Sequence, residues 1–105
     1  MPEEQLKQDL TTIVDKLTEA GCRVVLHTIP PFDYAGEHIA IWQNVNSYIR
    51  EALASRVAMV FDVVSCLGLD DEQPHLSRYG GHPNAGGCAV WADALYEKLC
   101  ESTII

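Results

Sequence analysis

The apolar residues near the start of the chain recur every three or four positions, which is the repeat of a helix that buries one face. They predict a helix from about Glu3 to Ala20, with an apolar face formed by Leu6, Leu10, Ile13, Val14 and Leu17. Glu3 and Glu4 suit its first turn, where the helix dipole favours negative charge. Gly21 is a typical residue to end it.

Two later segments, Arg23–Ile29 and Val57–Val64, are short and almost continuously apolar. This composition is typical of strands that are buried on both faces in a parallel sheet. Pro30 and Pro31 end the first strand, because proline cannot continue a ladder. A second helix is predicted between the strands, from about Ile39 to Ala54, by the spacing of Ile41, Val45, Ile49 and Leu53.

A polar loop is predicted from Ser65 to Gly81, followed by a last helix from Pro83 or Asn84 to about Cys100. The buried stripe of this helix is predicted to be Cys88, Ala92, Leu95 and Leu99. The order helix, strand, helix, strand, helix predicts an α/β domain over residues 1–105, with parallel strands in a three-layer α/β/α arrangement.

A sheet of two strands consists only of edges, and exposed apolar edges are an aggregation hazard. We therefore expect the sheet to be extended or covered. The alternatives are further strands from an N-terminal half missing here, a partner chain, or self-association as a homo-oligomer.

The charge and cysteine content narrow the function classes. A net charge of −8 disfavours nucleic acid as a partner, because phosphate binding relies on clustered Lys and Arg. No apolar run reaches membrane-spanning length and no secretory signal opens the chain.

The four cysteines lack the close pairing of metal sites, and no cofactor motif is present. Buried free thiols, including Cys88 and Cys100, are expected, and with them a reducing, cytoplasmic location.

The strongest candidate for chemistry is His82, in the stretch Tyr79–Gly87 (YGGHPNAGG). Imidazole is the usual general base near neutral pH, and a Gly-rich loop before a helix can aim it at a substrate. The alternative is that this stretch is only a loop and a helix start. Ser65 and Cys66 follow the second strand, where active sites of α/β sheets form, but no nucleophile elbow surrounds them. His27, Trp42 and Trp91 are expected in the core or at an interface.

The segment from His82 to Gly87 resembles the last block of SGNH (GDSL-type) ester hydrolases, in which H-P-N-x-x-G opens the final helix. Three upstream segments resemble the same family in the expected order: Val24–Pro31, Asn46–Glu51 and Val60–Val64. The resemblance implies a three-layer fold, hydrolysis of a small ester substrate, and His82 as general base.

This sequence also departs from the family. The nucleophile (G-D-S-like), Gly and Asn blocks are absent, and Tyr79 stands where the family has the Asp that orients the histidine. Asp70, Asp71 and Glu72 are candidates to replace that Asp. The chain is therefore predicted to be the C-terminal portion of such a hydrolase and inactive alone. The alternative is a non-catalytic, self-associating α/β module, and a nucleotide-binding domain ranks last.

Overall fold

A computed structural model describes residues 2–30, 36–67 and 85–102 of the chain. The helices are α1 (Glu3–Glu19), α2 (Glu37–Glu51), the four-residue α3 (Val63–Cys66) and α4 (Ala85–Glu101), with a 3₁₀ turn at Ala54–Arg56. The strands are β1 (Val25–His27) and β2 (Met59–Phe61). This described part is mostly helical, and none of its helices combines the length and hydropathy that crossing a membrane requires.

The two strands pair in parallel, in the register Val25 with Met59, Leu26 with Val60 and His27 with Phe61. A mixed α/β chain with parallel strands is therefore confirmed. Each strand is shorter than predicted at both ends. Just beyond both carboxyl ends, polar side chains engage the backbone, as described below. The prediction that the strands are buried on both faces is wrong, since Phe61 alone among these strand residues is fully buried.

Alternate strand residues contact different helices. Leu26 and Val60 pack against a cluster centred on α2 (Val45, Ile49 and Leu53), to which α1 also contributes. Val25, Met59 and Phe61 pack instead with α3 and α4. The predicted stripe of α2 is confirmed, because Val45, Ile49 and Leu53 are each at most 1% exposed and Ile41 packs beside them. Trp42 is also buried, as predicted.

The apolar face of α1 is only partly buried. Val14 is buried and Leu6 and Leu10 pack against the α2 cluster, but Ile13 and Leu17 remain 55% and 41% exposed. The prediction that all five residues share a buried face is therefore wrong. The rotation of α1 is set by polar contacts with its neighbours: Thr11 hydrogen-bonds Tyr48 of α2, and Asp15 pairs with Arg56 of the 3₁₀ turn. At the end of α1, Gly21 adopts a positive φ of 89°, as a helix terminator does.

The predicted stripe of α4 is confirmed at Leu95, is only partly buried at Leu99, and is wrong at Cys88 and Ala92. Trp91, Ala94 and Leu95 pack against the sheet, and Gly87 is buried, whereas Cys88 and Ala92 are exposed. Gly87 and Trp91 are four residues apart, so they share one face of the helix. Trp91 is thus a core anchor, as predicted.

The prediction of buried thiols is wrong for three of the four cysteines. Cys22, Cys88 and Cys100 are exposed free thiols, and Cys66 is half-buried. Burial of the thiols therefore gives no support to a reducing compartment, and the cytoplasmic location stays a prediction.

Candidate functional site at the carboxyl ends of the strands

The carboxyl ends of parallel strands lie at one edge of the sheet, which is where open α/β sheets bind ligands. Here β1 leads into Thr28 and Ile29, and β2 leads into Asp62 and α3. Hydrogen bonds at this edge involve Thr28, Ile29, Asp62 and the first residue of α3, Val63, together with side chains of α2, the helix that connects the strands. We call these contacts the carboxyl-edge network; its side chains are Thr28, Trp42, Asn46, Arg50, Asp62 and Ser65.

Asn46 holds the exit of β1. Its side-chain Oδ1 accepts a hydrogen bond from the backbone N–H of Ile29 at 2.7 Å, and its Nδ2 donates to the carbonyl of the same residue at 3.0 Å. Trp42 Nε1 donates to that carbonyl as well, at 2.9 Å. Asn46 is fully buried. Both backbone groups of Ile29 are therefore bonded by side chains of α2, which hold the chain in place just after the end of β1.

Arg50 and Asp62 hold the exit of β2. The guanidinium donates from Nε to Asp62 Oδ2 and from Nη2 to Oδ1, both at 3.1 Å. The same carboxylate accepts bonds from the Ser65 backbone N–H and hydroxyl, so Asp62 is also the N-cap of α3. Capping begins a helix at Val63, which explains why β2 cannot continue to Val64 as predicted.

Thr28 joins the two strand exits. Its hydroxyl donates to Asp62 Oδ1 at 3.2 Å and accepts from the backbone N–H of Val63 at 2.9 Å. Thr28 is 1% exposed, so a missing partner for its hydroxyl would be costly. The side chain thus uses both its donor and an acceptor to tie β1 to the start of α3.

Burial of Asp62 by itself raises the pKa of its carboxyl group, but the bonds from Arg50 and Ser65 more than offset that effect. The pKa of Asp62 therefore lies below its usual range, and the side chain is an anion at neutral pH. Both of its oxygens already accept hydrogen bonds. This geometry suits a structural anchor rather than a general base, which needs a free lone pair near the substrate.

The two sequence candidates for an internal nucleophile, Ser65 and Cys66, lie in α3 and not in the predicted loop. The Ser65 hydroxyl donates to Asp62 Oδ2 at 3.2 Å. Cys66 Sγ lies 3.9 Å from the carbonyl of Val90, and burial, with a smaller effect from the Asp62 charge, raises the pKa of its thiol. Neither hydrogen-bonds an imidazole in the described part of the chain. Neither is therefore activated as a nucleophile by these residues.

His27 lies in β1, on the face covered by α4. Its Nδ1 accepts a hydrogen bond from Trp91 Nε1 at 3.2 Å, and its ring lies 5.3 Å from Phe61 and 5.7 Å from Trp91 between centroids. An indole nitrogen can only donate, so Nδ1 carries no proton. Burial lowers the pKa of His27, which favours the neutral ring. The prediction of a core or interface histidine is thus confirmed.

Two contacts fix the direction of α4 along the sheet. The carbonyl of Val90, near the beginning of the helix, lies against Cys66 just beyond the carboxyl end of β2. Ser102, directly after the helix, lies with its hydroxyl 3.6 Å from the sulfur of Met59 at the start of the strand. The helix therefore runs antiparallel to the strands, and its N-terminal end lies at the same edge as the carboxyl-edge network.

The residues singled out for catalysis lie outside the described residues. These are His82, Tyr79 and the acidic trio Asp70, Asp71 and Glu72. The described chain begins again at Ala85, three positions after His82. In the ranges that are described, no three His, Cys, Asp or Glu side chains come together as potential metal ligands.

The carboxyl-edge network was not predicted, although the sequence carries two signals for it. Asn46 and Arg50 are four residues apart on a predicted helix, so they share one face. Asp62 interrupts an otherwise apolar run, and an acid there requires a partner when it is buried. The segment Asn46–Glu51, noted above only for its family resemblance, thus contributes two of the network's side chains.

Comparisons with protein-family models, with curated proteins and with solved structures return no match to this chain. The resemblance to SGNH hydrolases therefore rests on the sequence segments quoted above, and it stays a prediction.

Proposed function

We propose that this chain forms the C-terminal portion of an SGNH-like ester hydrolase, with a three-layer α/β/α fold. In this enzyme His82 is the general base, and the nucleophile and oxyanion groups come from an N-terminal half. The chain alone is inactive toward esters. The substrate class is a small ester, because ester hydrolysis is what the resemblance implies.

The observation that carries the proposal is the direction of α4. The histidine of the H-P-N segment can act only if the helix that follows starts at the edge where the substrate binds. The contacts of Val90 and Ser102 place the N-terminal end of α4 at that edge. Had α4 run the other way, the segment before Ala85 would lead away from the carboxyl ends of both strands.

A second observation supports a larger sheet. Both α1 and α2 contribute to the cluster that packs on Leu26 and Val60, so they lie on the same face of the sheet. Strand–helix–strand crossovers between parallel strands are almost always right-handed. When the helices of two successive right-handed crossovers lie on one face, each new strand is added on the same side of the strand before it. In the proposed enzyme, the strand that precedes α1 therefore lies on the side of β1 away from β2.

The carboxyl-edge network has a positioning role in this proposal. Its bonds fix both strand exits and the start of α3 to α2. A catalytic edge needs such a rigid support, because a displacement of about 1 Å can cost a factor of about 100 in rate. None of these side chains is proposed to touch the substrate.

The test compares two polypeptides in the hydrolysis of p-nitrophenyl acetate and butyrate. One is this chain, and the other is the product of the complete reading frame that encodes it. We expect no activity above background from the chain alone. The longer product should be active, and His82→Ala should lower its kcat by at least about 100-fold, the low end for loss of a general base. His38→Ala is the matched control, because His38 is exposed on α2.

Three outcomes would contradict the proposal. They are a reading frame that adds no polypeptide before Met1, a longer product that is inert toward esters, and unchanged activity in the His82→Ala variant.

Self-association is the second candidate function, and it is favoured by the exposed flank of α1. Ile13 and Leu17 are apolar residues one turn apart, and both are exposed. Sedimentation velocity at micromolar concentration should show a dimer that Ile13→Gln with Leu17→Gln converts to a monomer. Thr12→Gln, on an exposed position of the same helix, should leave it unchanged. A wild-type chain that sediments as a monomer contradicts this candidate.

A further inference from the structure

The edge of β2 that faces away from β1 carries backbone groups with no strand partner among the described residues. Phe61 accepts from the N–H of Thr28 at 3.0 Å, and the N–H of Met59 points to the carbonyl of Val24 at 3.3 Å. Backbone groups of successive strand residues point to opposite edges. The N–H and carbonyl of Val60, which lies between them, therefore point away from β1. No third strand pairs with this edge in the described part of the chain.

A groove runs along this edge. It has a volume of about 490 Å³ and lies between β2 and α3 on one side and the last turns of α4 on the other. Val60 and Phe61 contribute to its floor, and Ala94 contributes to the wall formed by α4. The side chain of Val60 packs with the α2 cluster on the other face. What Val60 presents to the groove is therefore chiefly its backbone.

Among the residues that the structure describes, the charges around the groove leave one carboxylate without a partner. Asp62 is neutralised by Arg50, and Lys98 lies 3.8 Å from Glu101. Glu97, which also lines the groove, makes neither an ion pair nor a hydrogen bond within residues 2–30, 36–67 and 85–102. A peptide segment in the groove therefore fits best if it places one positive charge beside Glu97.

We propose that this groove binds an extended peptide segment, which pairs with Val60 as a third strand and places a Lys or Arg side chain against Glu97. Addition of a strand to an open edge obtains its affinity from main-chain hydrogen bonds and its specificity from side-chain contacts. The volume of the groove falls within the range of about 300–1,000 Å³ for ligand sites. The small Ala94 leaves room for a side chain of the added strand. This proposal is independent of ester hydrolysis.

The test uses the pentapeptide Ac-Thr-Val-Lys-Val-Thr-amide and its Glu counterpart, titrated into the full 105-residue chain and followed by amide NMR shifts. The Lys peptide should bind saturably with a Kd below about 1 mM and shift the amides of Val60 and Asp62. An analogue of the Lys peptide that is N-methylated at both Val residues keeps the side chains but removes ladder donors. It should bind at least about 10-fold more weakly if main-chain pairing provides the affinity.

Two protein variants test the groove itself. Glu97→Lys should reverse the preference between the Lys and Glu peptides, whereas Glu51→Lys, at an exposed position on α2, should not. Ala94→Leu should weaken the Lys peptide by filling the wall of the groove, with circular dichroism to show that the fold is retained. The proposal is overturned if no peptide shifts the Val60 amide, if N-methylation has no effect, or if Glu97→Lys and Glu51→Lys behave alike.

Discussion

The two faces of the small sheet are held in different ways. On the α1 and α2 face, apolar burial is combined with the buried amide of Asn46 and the Arg50–Asp62 pair, which fix both strand exits. On the α4 face, the helix buries only Gly87 fully among its described residues, and its side-chain contacts with the sheet include the hydrogen bond from Trp91 to His27. The first face is therefore determined by specific polar contacts. The second is held mainly by the apolar packing of Trp91, Ala94 and Leu95, so we expect it to tolerate changes more readily.

The largest expected effect comes from Asn46→Ala. This change leaves the part-buried N–H and carbonyl of Ile29 without Asn46, and an unsatisfied buried group costs about 1–3 kcal/mol. Trp42 still serves the carbonyl, so we expect a loss of about 3 kcal/mol in the free energy of unfolding, measured with urea. Ser47→Ala, exposed on the next position of α2, should change it by less than about 0.5 kcal/mol. Equal losses in the two variants would show that the hydrogen bonds between Asn46 and Ile29 do not stabilise this face of the sheet.

A smaller effect is expected from Asp62→Asn, which removes the anion but keeps the shape. At pH 7 it should cost about 1–2 kcal/mol of unfolding free energy, the low end for a charged bond because 34% of the Asp62 side chain is exposed. Asp93→Asn, exposed on α4, is the matched control.

The pH dependence of the Asp62 contribution follows from its lowered pKa. A carboxyl with a lower pKa in the folded state stabilises the fold fully above its unfolded pKa of about 3.9 and loses that effect as pH falls through the folded pKa. The difference between wild type and Asp62→Asn should therefore shrink below about pH 4 in urea titrations. A difference that persists unchanged at low pH would mean that the charge is not what stabilises the edge.

The α4 face should respond more weakly. Trp91→Phe keeps most of the apolar surface and removes the bond to His27, which is half-buried, so we expect a loss of about 0.5–1 kcal/mol. Burial lowers the pKa of His27, so its contribution is complete above the unfolded value of about 6.5 and declines as pH falls below it. Tryptophan fluorescence should report this titration in wild type and not in His27→Phe. A loss larger than that of Asn46→Ala would reverse the ranking of the two faces.

The smallest change is a difference in thiol reactivity that leaves the fold intact. Cys22, Cys88 and Cys100 are exposed and should react quickly with Ellman's reagent at pH 8, whereas Cys66 is half-buried with a raised pKa. Cys66 should react at least about 10-fold more slowly, because the thiolate is the reactive form. All four should react alike in guanidinium chloride. A fast fourth thiol in the native protein would indicate that α4 opens readily over α3.

Those parts of the fold that depend on local spacing were predictable. The stripe of α2 followed from four apolar residues at a spacing of four, and the end of α1 followed from Gly21. The burial of α4 was mispredicted at Cys88 and Ala92 because spacing cannot tell two neighbouring faces apart when both are apolar. The packing of Trp91, Ala94 and Leu95 against the sheet decides between them. Ile13 and Leu17 were mispredicted for a related reason, since contacts of α1 with Tyr48 and Arg56 set its rotation.

The contacts of the carboxyl-edge network could not be predicted from the spacing of neighbouring residues. Asn46 and Ile29 are 17 residues apart, and Thr28 and Val63 are 35 apart, so their contacts exist only once the sheet has formed. The carboxyl end of each strand depends on the same contacts, and the prediction placed both of these ends too far along the chain. The role proposed for His82 rests on the family resemblance and on the direction of α4.

The amide of Asn46 also limits how the sheet can grow. Val25, His27 and Ile29 alternate with the residues that face β2, so their backbone groups lie along the open edge of β1. At Ile29, the side-chain amide of Asn46 makes the two hydrogen bonds that the backbone of a neighbouring strand would otherwise make. A strand added to this edge can pair with Val25 and His27 but must stop before Ile29. The side chain thus sets the point along β1 beyond which an added strand cannot pair.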